Sequence, residues 1–429
     1  MPARFEPGAL RAMVAPYTGH ARWLVAYSGG LDSTVLLHAL AALAPRPPLE
    51  AVHVHHGLHP QADAWAAHCG RQARVLSVPL RVARVDARPA VGESPEAAAR
   101  TARYAALRDR VAPGTVVFTA QHADDQAETV LLQLLRGAGP GGLSGMPAEA
   151  PFGAGLLVRP LLPWPRTALA DYARDQGLVW VEDPGNQDPR VDRSYLRAVV
   201  IPALRERWPG LTQTLGRVAA LQAEAAEILA QDADSLLAEV AGGRPGTLSA
   251  RALRALPTGR AANLLQHWIR IRGLPVPGRA RLLRILRDVT ASRHDAQPCV
   301  RWPGAEARRH RDDVYVMAPL SALRARAWDW DQRGPLEIPE LGVMLDRERL
   351  LAAGFPLPPP EVKLRACLRR GGERCAAGPG RARRALSRWF QEAGVPPWER
   401  DRMPLLFDGD RLLGVVGLGP CCGSAGRDP

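Results

Sequence analysis

The sequence predicts an α/β protein with an N-terminal domain built on a parallel sheet and two smaller α+β domains behind it. Strand and helix patterns alternate over roughly the first 180 residues, which is typical of a parallel sheet covered on both faces. The chain has 429 residues, more than one ordinary core can organise. A long Ala/Leu/Glu-rich stretch near the middle separates the two parts.

Periodicity and capping residues justify the N-terminal elements. The apolar run 23–27 leads directly into Ser-Gly-Gly, which indicates a buried strand that enters a tight loop. Ser94 is suited to cap a helix, and Pro95 fits the first helical position. The predicted strands are 23–27, 50–55 and 116–120, and the predicted helices are 32–43 and Pro95 to about Val111.

Composition shifts organise the rest of the chain. Residues 214–240 predict one long helix, and the glycines of 242–246 would end it. The Pro-rich stretch 355–360 predicts an extended linker that few contacts cross. Further helices are expected at 249–272 and 278–290, and a strand near 314–317. The expected segments are an N-terminal domain at 1–210, a connecting helix at 211–245, a middle domain at 246–320, a linker region at 321–360 and a C-terminal domain at 361–420.

Charge and cysteine usage bound the function classes. The formal net charge is +13 and the pI about 10.4, so a polyanion is the expected partner, most often nucleic acid, with anionic membrane surface as the weaker alternative. We find no signal-peptide pattern and no apolar run near 18 residues. The six cysteines form no CxxC pair, which predicts a cytosolic protein with reduced thiols. The adjacent Cys421 and Cys422 near the tail are interpreted as incidental.

A glycine- and hydroxyl-rich segment stands where the first strand meets the first helix. Two glycines let backbone amides approach a ligand, and the helix start adds unpaired amides and a positive dipole end. A carboxylate, Asp32, makes sense beside phosphates if Mg²⁺ lies between them. The alternative is a capped Gly-Gly turn. The predicted nucleotide-binding residues are Ser28, Gly29, Gly30, Leu31, Asp32, Ser33 and Thr34.

This segment resembles the SGGxDS signature of the PP-loop ATP-pyrophosphatases, which have an adenine nucleotide alpha hydrolase-like fold. It is not the GxxxxGK[ST] loop of kinases and GTPases. The resemblance implies that ATP is split between its α and β phosphates and that AMP is transferred to an oxygen. His53 to Leu58 is similar to the HVxHGL stretch of tRNA lysidine synthetases, which implies that His55 lines the nucleotide pocket. A metal site made from these histidines is disfavoured, because strand alternation separates them.

Two further stretches resemble that family. Glu96 to Tyr104 is similar to its E-x-x-A-R-x-x-R-Y helix, which implies a catalytic role for Arg100, and a solvated Glu–Arg pair is the alternative. Thr119 to Thr129 is similar to A-H-H-x-x-D-x-x-E-T, with Gln121 in place of the first His. The resemblance and the residue types together imply catalytic Asp32, His122 and Asp125, with Asp32 and Asp125 on Mg²⁺. The alternative is that Asp124 caps the helix, which is compatible with these roles.

Basic residues in the remaining motifs are expected to bind RNA. The resemblance continues through a glycine-rich loop, an E-D-P-x-N-x-D stretch at 182–188, and an Arg-rich segment where Ser194 replaces the usual Asn. It then covers the middle and C-terminal regions in the same order, so it spans nearly the whole chain. The expected tRNA-binding residues are Arg136, Arg193, Arg197, Arg370 and Arg374.

Taken as a whole, the resemblance implies a ligase of tRNA modification. It would adenylate the wobble cytidine of the CAU anticodon of tRNA(Ile) at its C2 oxygen, and free L-lysine would then displace AMP to give lysidine. A tRNA thiolase of the same superfamily is the second hypothesis, although Cys69 is the single cysteine in the first 298 residues. A non-enzymatic RNA-binding protein is the third, and intact Asp32 and Ser33 argue against it. The oligomeric state is left open, with a homodimer among the options.

Overall fold

The chain folds as two compact units, Met1–Leu229 and Ala230–Pro429. The computed structural model describes residues 4–57, 59–89, 94–182, 192–292, 296–376 and 382–421. Within these ranges no helix is long and apolar enough to span a bilayer.

The first unit is built on a six-stranded sheet in the order β3-β2-β1-β4-β6-β5. Its strands are β1 (Arg22–Ala26), β2 (Leu49–His55), β3 (Leu80–Arg84), β4 (Thr115–Phe118), β5 (Glu149–Phe152) and β6 (Gly155–Val158). All neighbouring pairs are parallel except β5 with β6, an antiparallel hairpin at one edge. The predicted parallel sheet is therefore confirmed, with an antiparallel edge strand that short apolar patterns did not reveal.

Helices cover both faces of this sheet. Those of the first unit are α1 (Pro7–Val14), α2 (Leu31–Ala41), α3 (Ala62–Val75), α4 (Pro95–Arg108), α5 (Ala123–Leu135), α6 (Pro140–Leu143), α7 (Arg166–Asp175), α8 (Asp192–Tyr195), α9 (Ile201–Arg207) and α10 (Leu211–Glu239), which continues into the second unit. Trp23 and Val25 of β1 pack into one core, whereas Leu24 packs into the other. Burial on both faces explains why these strands read as continuous apolar runs. The expected cap is confirmed, since the Ser94 hydroxyl accepts from the Ala97 N–H at 3.1 Å.

The second unit contains two main antiparallel sheets. The first, in the order β7-β10-β9-β8, comprises β7 (Leu248–Ser249), β8 (Cys299–Trp302), β9 (Ala305–His310) and β10 (Asp313–Met317). The second, in the order β11-β14-β17-β18-β19, includes β11 (Ala327–Trp330), β14 (Leu364–Cys367), β17 (Leu405–Asp408), β18 (Arg411–Val415) and β19 (Gly419–Pro420). Two hairpins complete the strands: β12 (Leu336–Ile338) with β13 (Val343–Leu345), and β15 (Arg374–Cys375) with β16 (Arg384–Ala385).

Short helices surround these sheets. They are α11 (Ala250–Ala255), α12 (Thr258–Ile271), α13 (Arg279–Arg284), α14 (Arg347–Ala352), α15 (Leu386–Glu392) and α16 (Pro397–Arg400). The helix expected at 249–272 is thus two helices that meet at Leu256 and Pro257. Proline lacks an N–H and pushes the preceding residue out of the helical region, which accounts for the break. The helix expected at 278–290 ends instead in a π-helical turn, Ile285–Val289.

The structure contradicts the linker expected at 321–360. Strand β11 lies in that segment and pairs with β14 beyond it, with Trp330 opposite Leu364. Phe355, inside the Pro-rich stretch, is buried in the same core as both residues. Local proline content suggested an extended connection, but the apolar side chains of this segment are needed to cover one face of the five-stranded sheet. Contacts therefore do cross residue 360.

The expectation of reduced thiols is also wrong for one pair. Cys375 on β15 and Cys421 beyond β19 form a disulfide, with their Cα atoms 5.5 Å apart. The two cysteines are 46 residues apart in sequence, so only the folded sheet brings them together. Cys421 is therefore not incidental, and Cys422 lies outside the described residues. Among the free thiols, Cys69 is buried and Cys299 exposed.

Candidate active site

The site begins at the carboxyl end of β1, where the chain turns into α2 through the predicted phosphate loop. The hydroxyls of Ser28 and Ser33 lie 3.0 Å apart, and the Ser28 hydroxyl accepts from the Gly30 N–H at 3.3 Å. Thr34 is buried and donates to the Gly29 carbonyl at 3.4 Å. Gly30 caps α2 without a side-chain bond of its own, and the buried Leu31 begins the helix. The loop is thus shaped by internal bonds, and the helix N-terminus opens onto it.

Gly29 is the position where this loop tolerates no side chain. Its φ is +86°, and a Cβ added there would lie 2.7 Å from the Cys69 Sγ and 3.0 Å from a methyl of Val181. The Gly29 carbonyl also accepts from the Val181 N–H at 2.9 Å. Conformation and close packing therefore both require glycine.

His122, the residue before α5, lies among three carboxylates from the first turns of α2 and α5. The His122 Nε2 lies 3.7 Å from Asp32 Oδ2 and 3.4 Å from Asp125 Oδ2, and its Nδ1 lies 3.7 Å from Asp124 Oδ2. Strands β1 and β4 are neighbours in the sheet, so their carboxyl ends place these residues side by side. The geometry therefore brings the predicted residues Asp32, His122 and Asp125 together, and their catalytic roles remain predictions.

His122, and not Asp124, caps α5. The His122 N–H donates to Asp125 Oδ2 at 3.1 Å, and the Asp125 N–H donates to His122 Nδ1 at 3.4 Å, which makes a closed capping box. The expectation that Asp124 caps the helix is wrong because its carboxylate is engaged elsewhere. It accepts from the Arg166 N–H at the start of α7 at 2.7 Å, and from Arg205 of α9.

Electrostatics favour a proton on His122. Burial lowers the pKa of this nearly fully buried imidazole, but Asp125, Asp32 and Asp124 outweigh burial and raise it overall. In the neutral ring, Nδ1 accepts from the helix amide, so the Nε2–H faces Asp32 and Asp125. The imidazole can therefore place an N–H beside two carboxylates that would otherwise repel each other.

Arg193 and Arg197, expected to contact RNA, are paired with acidic residues of α5. Arg197 donates to both oxygens of Glu128, at 2.7 and 2.9 Å, and lies 3.3 Å from Asp125 Oδ1. Arg193 donates to the Thr129 hydroxyl at 2.8 Å and lies 3.3 Å from Glu128. Glu128 is 1% exposed, and burial raises its pKa even though Arg197 opposes that shift. These arginines therefore hold the acidic helix in place, whatever else they contact.

The contacts of His55 and Arg100 are with residues other than those around His122. His55 is buried, with Nε2 3.1 Å from Asp63 Oδ1. Arg100 is exposed on α4, and its guanidinium lies 4.8 Å from the ring centroid of Tyr104 on the same helix. Neither contact joins these side chains to the Asp32–His122–Asp125 group, so their predicted roles remain predictions.

The other expected RNA-binding residues are placed at exposed positions. Arg136 follows the last residue of α5, and Arg374 donates from β15 to the Arg383 carbonyl at 2.9 Å. The Arg370 N–H donates to the Glu373 carboxylate. The E-D-P-x-N-x-D stretch, including Asp183, Asn186 and Asp188, lies outside the described residues.

One carboxylate oxygen of Asp32 has the surroundings expected of a metal ligand. Its Oδ1 is buried and accepts no hydrogen bond from the residues that the structure describes, with the Arg166 Nε 3.6 Å away. A buried carboxylate oxygen without a donor suits a hard cation with oxygen ligands. Over the same described ranges, no three His, Cys, Asp or Glu side chains converge as a preformed cage. Asp32 Oδ1 is therefore available to a hard cation, but the described residues alone do not complete a metal site.

Comparisons with known proteins match three parts of the chain. A PP-loop domain model matches residues 7–204, the model for the TilS substrate binding domain matches 248–315, and the model for the TilS substrate C-terminal domain matches 364–429. The tRNA(Ile)-lysidine synthase of Alkalilimnicola ehrlichii is 47% identical over 95% of this chain and 91% of that protein. The chain belongs to the tRNA(Ile)-lysidine synthase family.

Other members of the lysidine synthase family agree over similar lengths. The protein of Methylococcus capsulatus is 41% identical over 92% of this chain and 90% of its own, and that of Coxiella burnetii is 38% identical over 98% and 94%. The chain is also similar to a solved U34-tRNA thiolase, NcsA from Methanococcus maripaludis with its [4Fe-4S] cluster. That likeness is 16% identity with a TM-score of 0.42, over 50% of this chain and 77% of the thiolase, and it carries no argument about activity.

Within this lysidine synthase fold, sequence reasoning missed several residues that organise the site. Glu128 was visible as the acid of the α5 motif, but its burial was not. Arg166 and Arg205 both bind Asp124, although they are 42 and 81 residues from it in sequence. The one available signal was the density of acidic residues at the start of an amphipathic helix, which requires cationic partners when it is buried.

Proposed function

We propose that this protein ligates L-lysine to C2 of the wobble cytidine in the CAU anticodon of tRNA(Ile), consuming ATP and releasing AMP and diphosphate. The observation that carries the proposal is the Asp32–His122–Asp125 group beside the phosphate loop, in a chain of the tRNA(Ile)-lysidine synthase family. A C–N ligase acting on tRNA also accounts for the net charge of +13, since RNA phosphates attract a basic protein. Its expected place of action is the cytoplasm, where its substrate tRNA is found.

The phosphate loop would receive the diphosphate end of ATP. The amides at the start of α2, including those of Leu31, Asp32 and Ser33, have no intrahelical acceptor, and the helix dipole favours negative charge there. The C2 oxygen of cytidine would attack the α phosphate, and charge would build up on the departing diphosphate. Stabilisation of that charge by amides already held in place lowers the barrier without reorganisation of the site.

Asp32 and Asp125 would hold Mg²⁺, which neutralises phosphate charge when it is bound. His122 keeps these two carboxylates within reach of one another by placing its Nε2–H between them. Arg197 then fixes Asp125 from the other side, at 3.3 Å. The lysine ε-amine must lose a proton when it attacks C2, and a carboxylate of this group is suited to accept it.

The thiolase alternative is disfavoured by the chemistry of Cys69. This thiol is fully buried under the phosphate loop, 3.4 Å from His53 Nδ1, and burial raises its pKa to about 12. A thiolate nucleophile or cluster ligand needs a lowered pKa and access to the substrate. The remaining described cysteines lie in the second unit.

The first prediction tests the proposed activity. Wild-type protein incubated with ATP, Mg²⁺, radiolabelled lysine and the target tRNA is expected to transfer label into RNA. Asp32→Asn should lower diphosphate release and lysine incorporation by at least about 100-fold while tRNA affinity stays the same, because a preorganised electrostatic contact is lost.

The matched control is Asp109→Asn, which removes one exposed carboxylate at the end of α4. This variant should incorporate lysine at the wild-type rate. Entry of sulfur but not lysine into the tRNA would establish a thiolase instead. Near-normal diphosphate release by Asp32→Asn would remove Asp32 from the mechanism.

A further inference from the structure

The second unit contains a cavity of about 340 Å³ between the loop that follows α10, strand β10 and helix α16. Its lining includes the guanidiniums of Arg244 and Arg272, the phenol ring of Tyr315 and the carboxylate of Glu399. A Cβ on Gly246 would lie 2.5 Å from the Arg272 Nη1. Glycine at this position therefore leaves room for a guanidinium at the cavity wall.

The walls of the cavity are held in a fixed arrangement by Trp398 of α16. Its side chain is 8% exposed and packs edge-on against Tyr315, with ring centroids 5.2 Å apart. The Arg308 guanidinium stacks over the same indole at 5.3 Å. A site whose walls are packed in advance loses little conformational entropy when a ligand binds.

Positive charge near the cavity exceeds what its carboxylates balance. Arg311 and Arg400 donate to the backbone carbonyls of Gln391 and Val395, at 2.5 and 2.8 Å, and a carbonyl does not cancel a full charge. Burial lowers the pKa of His310 to about 4, and Arg311, Arg400 and Arg244 add to that shift, so this imidazole stays neutral. The surroundings therefore favour an anion.

The two nearby carboxylates are used in different ways. Asp313 accepts from the Gly243 N–H at 2.6 Å and the Thr247 hydroxyl at 2.9 Å, so it is committed to shaping the loop. Glu399 lies 3.3 Å from the Arg244 Nη1, and the two side chains are 43% and 34% exposed. An exposed pair of this kind contributes little stability and can exchange for another anion.

We propose that this cavity binds a backbone phosphate of the tRNA through Arg244 and Arg272, and that the phosphate displaces Glu399 from Arg244. The inference rests on the proposed function, because it takes tRNA as the substrate. Guanidiniums pair with phosphate oxygens in a planar, bidentate geometry, which a cavity with two of them can exploit. An amino acid with both charges is the other class of ligand, and the excess of arginine favours the phosphate.

The test compares tRNA affinity across a series of salt concentrations for full-length variants. Arg272→Gln should weaken binding about tenfold and reduce the slope of log affinity against log salt by about 0.7–0.9, the effect of one lost phosphate contact. Glu399→Gln should tighten binding about three- to tenfold, because the competing carboxylate is gone. Arg270→Gln, an exposed residue in the last turn of α12, removes the same charge outside the cavity lining and should change the slope much less.

Three outcomes would overturn the inference. Equal slopes for Arg272→Gln and Arg270→Gln would mean that only net charge matters. Weaker tRNA binding by Glu399→Gln would mean that this carboxylate supports the site instead of competing for it. Calorimetric binding of free lysine that Arg272→Gln abolishes would assign the cavity to an amino acid. Failure of the wild-type chain to incorporate lysine would instead reject the proposed function, and the slopes would still report on this cavity.

Discussion

Gly29 has a φ of +86°, and its missing side chain leaves space that Cys69 and Val181 fill. Two separate physical requirements meet at one residue. A left-handed conformation disfavours any L side chain, and the close approach of a buried sulfur excludes even a methyl group. A second glycine separates the effect of conformation from that of packing. Gly177 also has a positive φ, +61°, but a Cβ added there would have nothing within 4 Å.

The second prediction uses this pair. Gly177→Ala should lower the free energy of unfolding by about 1–2 kcal/mol, the strain of the left-handed conformation. Gly29→Ala should lower it by a further 1–3 kcal/mol or so, because the methyl group must displace packed atoms. Gly29→Ala should also lose ATP binding, and Cys69→Ala in the same chain should restore part of the stability. Denaturant unfolding and ATP titration measure both effects, and equal losses for the two single variants would show that packing plays no part.

Helix α5 both stabilises the fold and carries residues of the candidate site. Its first turn supplies Asp124 and Asp125, and Glu128 follows one turn later in the interior. A buried carboxylate needs a partner, and Arg197 provides it with two hydrogen bonds while also reaching Asp125. Fold stability and the position of Asp125 are therefore coupled through one guanidinium. This coupling changes what a mutation of Arg197 would report.

The third prediction is that Arg197→Ala lowers stability as well as turnover. Buried Glu128 loses two hydrogen bonds but keeps Arg193, 3.3 Å away, as a cationic neighbour, so the loss should be about 3 kcal/mol near neutral pH. The pKa of Glu128 is already raised in the fold, so folding favours its protonated form and its contribution to stability declines as pH rises through that pKa. The loss in free energy of unfolding caused by Arg197→Ala should therefore be smaller at pH about 5 than at pH about 8.

Thermal unfolding across this pH range checks the third prediction. Glu128→Gln combined with Arg197→Ala should be more stable than Arg197→Ala alone, since the buried charge that has lost its two hydrogen bonds is also removed. A pH-independent loss of stability would contradict the role assigned to Glu128. Normal stability together with weak tRNA binding would return Arg197 to the RNA-contact role predicted from the sequence.

At the scale of the whole molecule, sites are distributed over two compact units. The first carries the phosphate loop and the acidic group around His122. The second carries two antiparallel sheets and two of the exposed arginines predicted to bind RNA, Arg370 and Arg374. Residues 321–360 belong to the second unit's packed core. A truncation after Pro360 would remove β14 and expose Trp330 and Phe355, so loss of tRNA binding by that fragment would be ambiguous.

The fourth prediction therefore uses substitutions in the full chain. Arg370→Gln with Arg374→Gln should weaken tRNA binding and lower the salt slope by about 1.4–1.8, the effect of two phosphate contacts. Both residues are exposed, so the melting temperature should not change. Filter binding at several salt concentrations is the measurement. An unchanged slope would mean that this hairpin does not dock RNA and that the charge of the region has another purpose.

Much of the first unit followed from local patterns. Alternating apolar runs and helical periodicity predicted β1, β2, β4, α2 and α4 to within a few residues, and the Ser94 cap was correct. The phosphate loop was recognisable because its requirements are local: small residues for the backbone, hydroxyls, and a helix start. Adjacent strand ends then made the meeting of Asp32 with His122 and Asp125 predictable.

Only the tertiary structure decided the remaining features, because they depend on residues far apart in sequence. The pairing of β11 with β14, the Cys375–Cys421 disulfide and the Glu128–Arg197 pair join positions separated by 34 to 69 residues. Burial is also a tertiary property. An arginine on a solvated helix is free to contact RNA, whereas an arginine beside a buried carboxylate acts as its counter-ion. The sequence by itself determined which chemistry this protein carries, and the fold decided which charges are free to meet a substrate.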